Sequence, residues 1–200
     1  MSLSLPSQQV FGMTYTANEQ ALRNVLPAPS FSDHVVTNFA ALKGSSQQFE
    51  LAVGDGLLTF GVKPFNMVWN LEDNDTKTQA DLGIYSVKRR RPIFVMVKTS
   101  CRERWKQEDR SALNIHDNKR LCVDRMLPRL GNRCGIPLHY SSSTPPEVWV
   151  VFYQERAHDT VADSIAHAKK YGSYVTGMDG DKFITAFDTK GMNRLLNACL

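Results

Sequence analysis

QADLGIYSVKRRRPIFVMVKTSCRERWKQEDR, residues Gln79–Arg110, holds the pattern from which the fold of this chain is read. Its two apolar runs, Asp81–Val87 and Ile93–Lys98, have the length and composition of strands, joined by a Lys-Arg-Arg-Arg-Pro connection. IFVMVK is apolar at every position before its lysine, so it predicts a central strand covered on both faces. With a period of two, Phe94, Met96 and Lys98 point one way and Ile93, Val95 and Val97 the other. Each run carries one charged residue, Asp81 or Lys98, and pairing of the strands brings the two together at a strand end. The polar stretch that follows predicts a helix over roughly 102–115.

Working outward, Ser32 is a candidate N-cap for a helix through about Leu42, with Val35, Val36, Phe39 and Leu42 on one face. A second helix is expected from about Ser45 into Leu58, burying Phe49, Val53 and Leu57 and carrying Glu50. Gly54 and Gly56 blur its end. Downstream, a helix near 118–130 is expected to kink or break at Pro128. VWVVFY (Val148–Tyr153) reads as another buried strand. A helix over 158–171, short strands near 174–176 and 183–187, and a closing helix near 190–198 complete the outline. Strands flanked on both sides by helices predict a mixed, three-layer α/β domain over 31–200. The first 30 residues read as a lead-in segment, with one short helix near 18–26 ended by Pro27 and Pro29.

Composition fits a soluble globular chain: 200 residues, 42% hydrophobic and 22% charged. No apolar run is long enough to span a bilayer, and MSLSLPSQQV lacks the basic and apolar regions of a signal peptide. The cytoplasm is therefore the expected compartment. Cys101, Cys122, Cys134 and Cys199 form no CxxC pair and no zinc spacing, so free, mostly buried thiols are expected. Charge is uneven. Between Lys88 and Arg133 there are 14 Lys and Arg against 5 Asp and Glu, while the rest of the chain carries 10 against 15. A basic middle in an otherwise acidic protein suggests a polyanion surface, with a solvated helical face as the plainer alternative. Lys88–Arg91 suits phosphate contact or a solvated hairpin tip, and Lys119, Arg120, Arg125, Arg129 and Arg133 would extend the same surface.

The residue types point to one chemistry. Phosphodiester hydrolysis needs hard oxygen ligands for Mg²⁺, a lysine to orient or activate water, and charge neutralisation at phosphorus. Asp81 and Lys98 could supply parts of each, although such a pair also reads as a structural ion pair. Arginine pairs bidentately with guanine, and a carboxylate accepts from cytosine N4, so Arg102, Glu103 and Arg104 suit consecutive G·C pairs. Trp105 reads as a core anchor, and Gln107 as support for that triplet or a backbone contact.

From Glu50 onward the chain resembles the PD-(D/E)XK nuclease superfamily, its restriction endonucleases in particular, over residues 45–155. FELAV supplies the helix acid Glu50, QADLGIY the aspartate Asp81, and FVMVK the lysine Lys98. KTSCRERWKQ, Lys98–Gln107, looks like the lysine-plus-recognition-helix segment of type II enzymes that cut sites containing CC/GG. The resemblance implies a restriction-endonuclease-like αβα fold with a central mixed β-sheet. It also implies a Mg²⁺-dependent, sequence-specific double-stranded DNA endonuclease, acting as a homodimer and leaving 5′-phosphate and 3′-hydroxyl ends. Catalysis would fall to Asp81, Lys98, Glu108 and Glu50, the three acids holding metal. Arg102, Glu103, Arg104, Lys106 and Gln107, with Arg89 and Arg90, would contact DNA.

One departure stands out: the acid two positions before the lysine is replaced by Met96, which cannot bind Mg²⁺. In the CC/GG-reading branch a glutamate in the following helix takes over. Glu108 is the candidate, about one turn earlier than usual, with Ser111 or Ala112 at the usual place. A non-catalytic DNA-binding relative, a structure-selective repair or phage nuclease, and an unrelated α/β protein stay open as alternatives.

Overall fold

A run as apolar as Ile93–Val97 has to be covered on both sides, and the fold places a helical layer against each face of its sheet. The computed structural model describes residues 8–10, 13–15, 29–42, 45–100, 120–131, 146–154 and 182–200. The chain divides into two units, Met1–Ser30 and Phe31–Leu200. The first contains an antiparallel pair, β1 (Gln8–Val10) and β2 (Met13–Tyr15), that the sequence reading did not anticipate. The helix expected near 18–26 lies outside the described residues.

The second unit opens with α1 (Phe31–Ala41) and α2 (Ser46–Thr59). Ser32 does not cap α1 from outside; it lies within the first turn, and its hydroxyl donates to the carbonyl of Ala186. Ser45 caps α2 in a reciprocal box: its Oγ accepts from Gln48 N at 3.3 Å, and Gln48 Oε1 accepts from Ser45 N at 2.9 Å. Gly54 and Gly56 do not end α2. Both lie inside it because a side chain at either position would run into a neighbour, the Trp69 ring at Gly54 and the Phe31 and Val35 side chains at Gly56.

A 3₁₀ turn (Pro64–Asn66) leads into β3 (Met67–Asp73), a strand not foreseen from sequence, then β4 (Thr78–Ser86) and β5 (Arg91–Ser100). A helical stretch follows, π-wound over Leu121–Met126 and continuing as α3 (Leu127–Leu130). Pro128 therefore does not break it. The wider π turn, closed by Leu127 N–H on the Cys122 carbonyl, takes up the crowding that a proline ring imposes on the preceding turn. The remaining elements are β6 (Glu147–Gln154), β7 (Phe183–Thr185) and α4 (Thr189–Cys199).

The sheet order is β3-β4-β5-β6-β7, antiparallel from β3 to β5 and parallel from β5 to β7. β5 is thus central, as its two apolar faces require. Ile93, Val95 and Val97 join the core under α1, α2 and α4, whereas Phe94 and Met96 join a second core with Leu121, Cys122, Met126 and Leu130. This is a three-layer αβα arrangement on a mixed sheet. No helix among the described residues is long and apolar enough to cross a membrane. The helices expected over 102–115 and 158–171, the strand near 174–176, and Cys101 and Cys134 lie outside the described residues.

Cys122 and Cys199 are free and buried. Burial pushes the Cys122 thiol up to about 12 and raises that of Cys199 further, so neither offers a thiolate.

Candidate active site

β4 and β5 part company at one end of their hairpin. Their pairing runs from Ser86↔Arg91 to Leu82↔Val95 and stops there. Beyond that point Val97 N–H is bonded to a side chain: Asp81 Oδ2 accepts it at 2.6 Å. The same oxygen lies 3.5 Å from Lys98 Nζ. The acid and lysine singled out from the sequence therefore meet, held to one another and to the backbone. Asp81 is the fourth residue of β4 and not its first, because the strand begins at Thr78. Their side chains are 13% and 14% exposed, screened from bulk water yet reachable.

Glu50 joins them from α2. Burial raises its carboxyl above the usual carboxylate range, the nearby Asp81 raises it further, and Lys98 pulls it down. Its neighbour Phe49 is fully buried, its ring 5.0 Å from Phe39 and 5.3 Å from Tyr153, which fixes the turn of helix that presents Glu50. Three elements, α2, β4 and β5, thus bring two carboxylates and an ammonium to one place.

The crowding of Glu50 has a stability signature. A carboxyl whose folded value lies above its unfolded one holds its proton more tightly in the folded chain. Its ionisation then costs stability as pH rises through the folded value. Glu50→Gln is accordingly expected to raise the melting temperature at pH 7, and to leave it unchanged below the ordinary value of 4.5, where both forms are neutral. Thermal melts at pH 7 and pH 4 check this; an unchanged or lower midpoint at pH 7 would mean that Glu50 is not crowded.

Met96 is 1% exposed and belongs to the second core, so the position where a further acid was sought is filled by packing. Among the described residues no group of three or more His, Cys, Asp and Glu side chains converges. Glu50 and Asp81 still suit Mg²⁺, a hard cation commonly held by one or two carboxylates, with waters and substrate phosphate filling the remaining positions. Glu108, Arg102, Glu103, Arg104, Lys106 and Gln107 lie outside the described residues.

Lys119 and Arg133 lie outside the described residues, and the other basic candidates described are placed elsewhere or already occupied. Arg89 and Arg90 sit in the β4–β5 turn, at the opposite end of β5 from Lys98, which separates them from it by roughly 23 Å along the strand. Arg89 and Arg91 both pair with Glu147, at 3.2 and 3.3 Å, and that buried carboxylate also accepts from Trp149 Nε1 at 2.8 Å. Arg89 and Arg90 are therefore not beside the candidate site.

Arg120 reaches Asp75 at 2.9 Å, Asp124 at 3.5 Å and Asp73 at 3.8 Å; Arg125 reaches Asp73 at 3.7 Å. The Thr76 hydroxyl donates to Asp73 and, with Arg120 and Arg125, holds its carboxyl below the usual range against the opposing effect of burial. Arg129 Nη1 donates to the Asn70 carbonyl. Arg120 and Arg125, expected to extend a phosphate-binding surface, are thus matched by Asp73 at the end of β3, Asp75 in the β3–β4 turn and Asp124.

The sequence reading missed the backbone N–H of Val97, which fixes Asp81, and Asn70, whose position inside MVWNLED was the one available signal. Comparison with known proteins finds no family model, no curated protein and no solved structure that matches this chain.

Proposed function

We propose that this protein is a Mg²⁺-dependent double-stranded DNA endonuclease of the restriction type, cutting phosphodiester bonds at a site containing G·C pairs. The observation that carries the reading is the convergence of Glu50, Asp81 and Lys98 from a helix and two adjacent strands at the open end of the β4–β5 ladder. Asp81 and Glu50 would hold the metal, with Glu108 as a further acid. The metal supplies charge neutralisation at the phosphate and a lowered pKa for bound water.

The remaining work belongs to the chain. Val97 N–H and Lys98 fix Asp81 through Oδ2, so its carboxylate is oriented before substrate arrives. Lys98 Nζ orients the attacking water and offsets charge as the phosphorane forms. In-line attack then releases a 3′-hydroxyl and leaves a 5′-phosphate. Arg102, Glu103 and Arg104, with Lys106 and Gln107 beside them, would read the base edges. A palindromic target calls for a two-fold homodimer.

Burial of Met96 favours a second reading, a DNA-binding relative that has lost cleavage. Plasmid and phage DNA incubated with the protein separate the two. The nuclease reading expects discrete fragments with Mg²⁺, none with EDTA, and fragment ends that share one sequence. Sequence-specific binding without cleavage under any divalent metal would leave only the second reading standing.

A further inference from the structure

Side chains on a strand alternate between faces, and an aspartate in mid-strand ordinarily points into one layer or the other. Asp81 does neither: its carboxylate takes a backbone N–H of the neighbouring strand, a bond that lies along the sheet. Something has to turn it there.

The pairing of β3 with β4 keeps a single register from Met67↔Ile84 to Asp73↔Thr78, and the one position it skips is Asn70 opposite Asp81. The faces exchange at that position on both strands. Met67, Leu82 and Ile84 belong to the first core, with Trp69 packed against it. Past Asn70 and Asp81, Leu71 and Ala80 belong to the second core, where strict alternation would keep them in the first. Leu71 lies over Gly83 on that second face, beside Met126. The pleat is inverted with no residue inserted.

Asn70 has φ of +50°, in the left-handed region that few residues other than glycine adopt and that asparagine tolerates best. Its carbonyl accepts from Arg129 Nη1 at 3.3 Å. We infer that Asn70, in its left-handed conformation and braced by Arg129, is the positioning residue that inverts the pleat and turns Asp81 toward Val97 and Lys98. Its catalytic meaning rests on the hydrolase reading above; its structural meaning does not.

The substitutions follow from the backbone requirement. Glycine meets φ of +50° without strain, alanine poorly, and valine worst. Asn70→Gly is expected to cut DNA within about twofold of wild type. Asn70→Ala and Asn70→Val are expected to lower kcat at least tenfold with KM little changed, because DNA contacts elsewhere are untouched. Arg129→Ala should fall between them, with Arg129→Lys partly restored.

A readout independent of cleavage is the amide proton of Val97, whose bond to a carboxylate at 2.6 Å is expected to set its NMR shift downfield of its neighbours. That shift is expected to survive in Asn70→Gly, to vanish in Asp81→Ala, and to move back toward the other β5 amides in Asn70→Ala and Arg129→Ala. Should Asn70→Val fail to fold, the alanine and Arg129 variants decide. An unshifted Val97 amide in Asn70→Ala and Arg129→Ala overturns the inference. A wild-type protein that cuts no DNA overturns the hydrolase reading alone, and the Val97 amide still decides for or against Asn70.

Discussion

Asp81→Ala and Lys98→Ala are each expected to slow Mg²⁺-dependent DNA cleavage by about 10³-fold while leaving DNA binding largely intact. The reasoning starts from what each side chain holds. In the proposed mechanism Asp81 would hold the metal, and in the structure it is the acceptor for Val97 N–H, so alanine removes a charge and leaves a backbone donor unpaired. Asp81→Asn separates the two effects, because its amide oxygen can still accept from Val97 while the charge is gone. It should fold as wild type and remain inactive. Lys98→Ala removes the ammonium beside Asp81, which also pulls the Glu50 carboxyl down, so that the Glu50 carboxyl should rise further. Initial rates on plasmid and binding on a labelled duplex in Ca²⁺ give the two readouts. Normal cleavage by Asp81→Asn and Lys98→Ala would place the site elsewhere.

A large loss of stability is expected from Gly54→Val, about 3 kcal/mol by urea denaturation. A Cβ at residue 54 would lie 2.0 Å from the end of the Trp69 ring and 2.5 Å from a second ring atom. The indole packs against the first core, so it has to swing out or push α2 off the sheet. Gly54→Ala separates propensity from packing. On an exposed helix that change would gain about 1 kcal/mol, whereas here it should lose stability. Trp69→Leu combined with Gly54→Ala should recover much of the loss; additive costs in the double variant would show that the ring is not the obstacle.

That glycine illustrates where sequence reading succeeds and where it stops. Strands with strong, unbroken patterns were legible: β5 and β6 lie where IFVMVK and VWVVFY put them, with the sheet centre at β5. α2 was legible through Ser45 and its apolar spacing, but Gly54 and Gly56 left its end uncertain because the Trp69, Phe31 and Val35 side chains they accommodate lie in other elements. β3 was not legible. MVWNLED changes face at Asn70, and a strand that inverts its own pleat has no period to detect.

The candidate site followed the same rule. Asp81 and Lys98 could be named because their strands were legible and adjacent, whereas Glu50 was named from the resemblance and reaches them through the packing of α2 on the sheet. The arginines could not be placed. Counting charge along the chain makes Arg120 and Arg125 part of a basic stretch, yet their partners Asp73 and Asp75 come from a turn far upstream. Arg89 likewise meets Glu147 across 58 residues of sequence. Local charge balance says nothing about ion pairs closed by the fold.

The mixed sheet also sets an order of assembly. Its antiparallel half, β3 to β5, is joined by short turns, and Asp81 and Lys98 are only 17 residues apart. Its parallel half closes only when β6 and β7 return over long connections. Loops that short cost little entropy to close, whereas distant parallel pairing is slow. The acid and lysine are therefore expected to belong to a hairpin that forms before the parallel half closes. Variants that weaken β6 or β7 should speed unfolding more than they slow folding, and those in the β4–β5 hairpin the reverse.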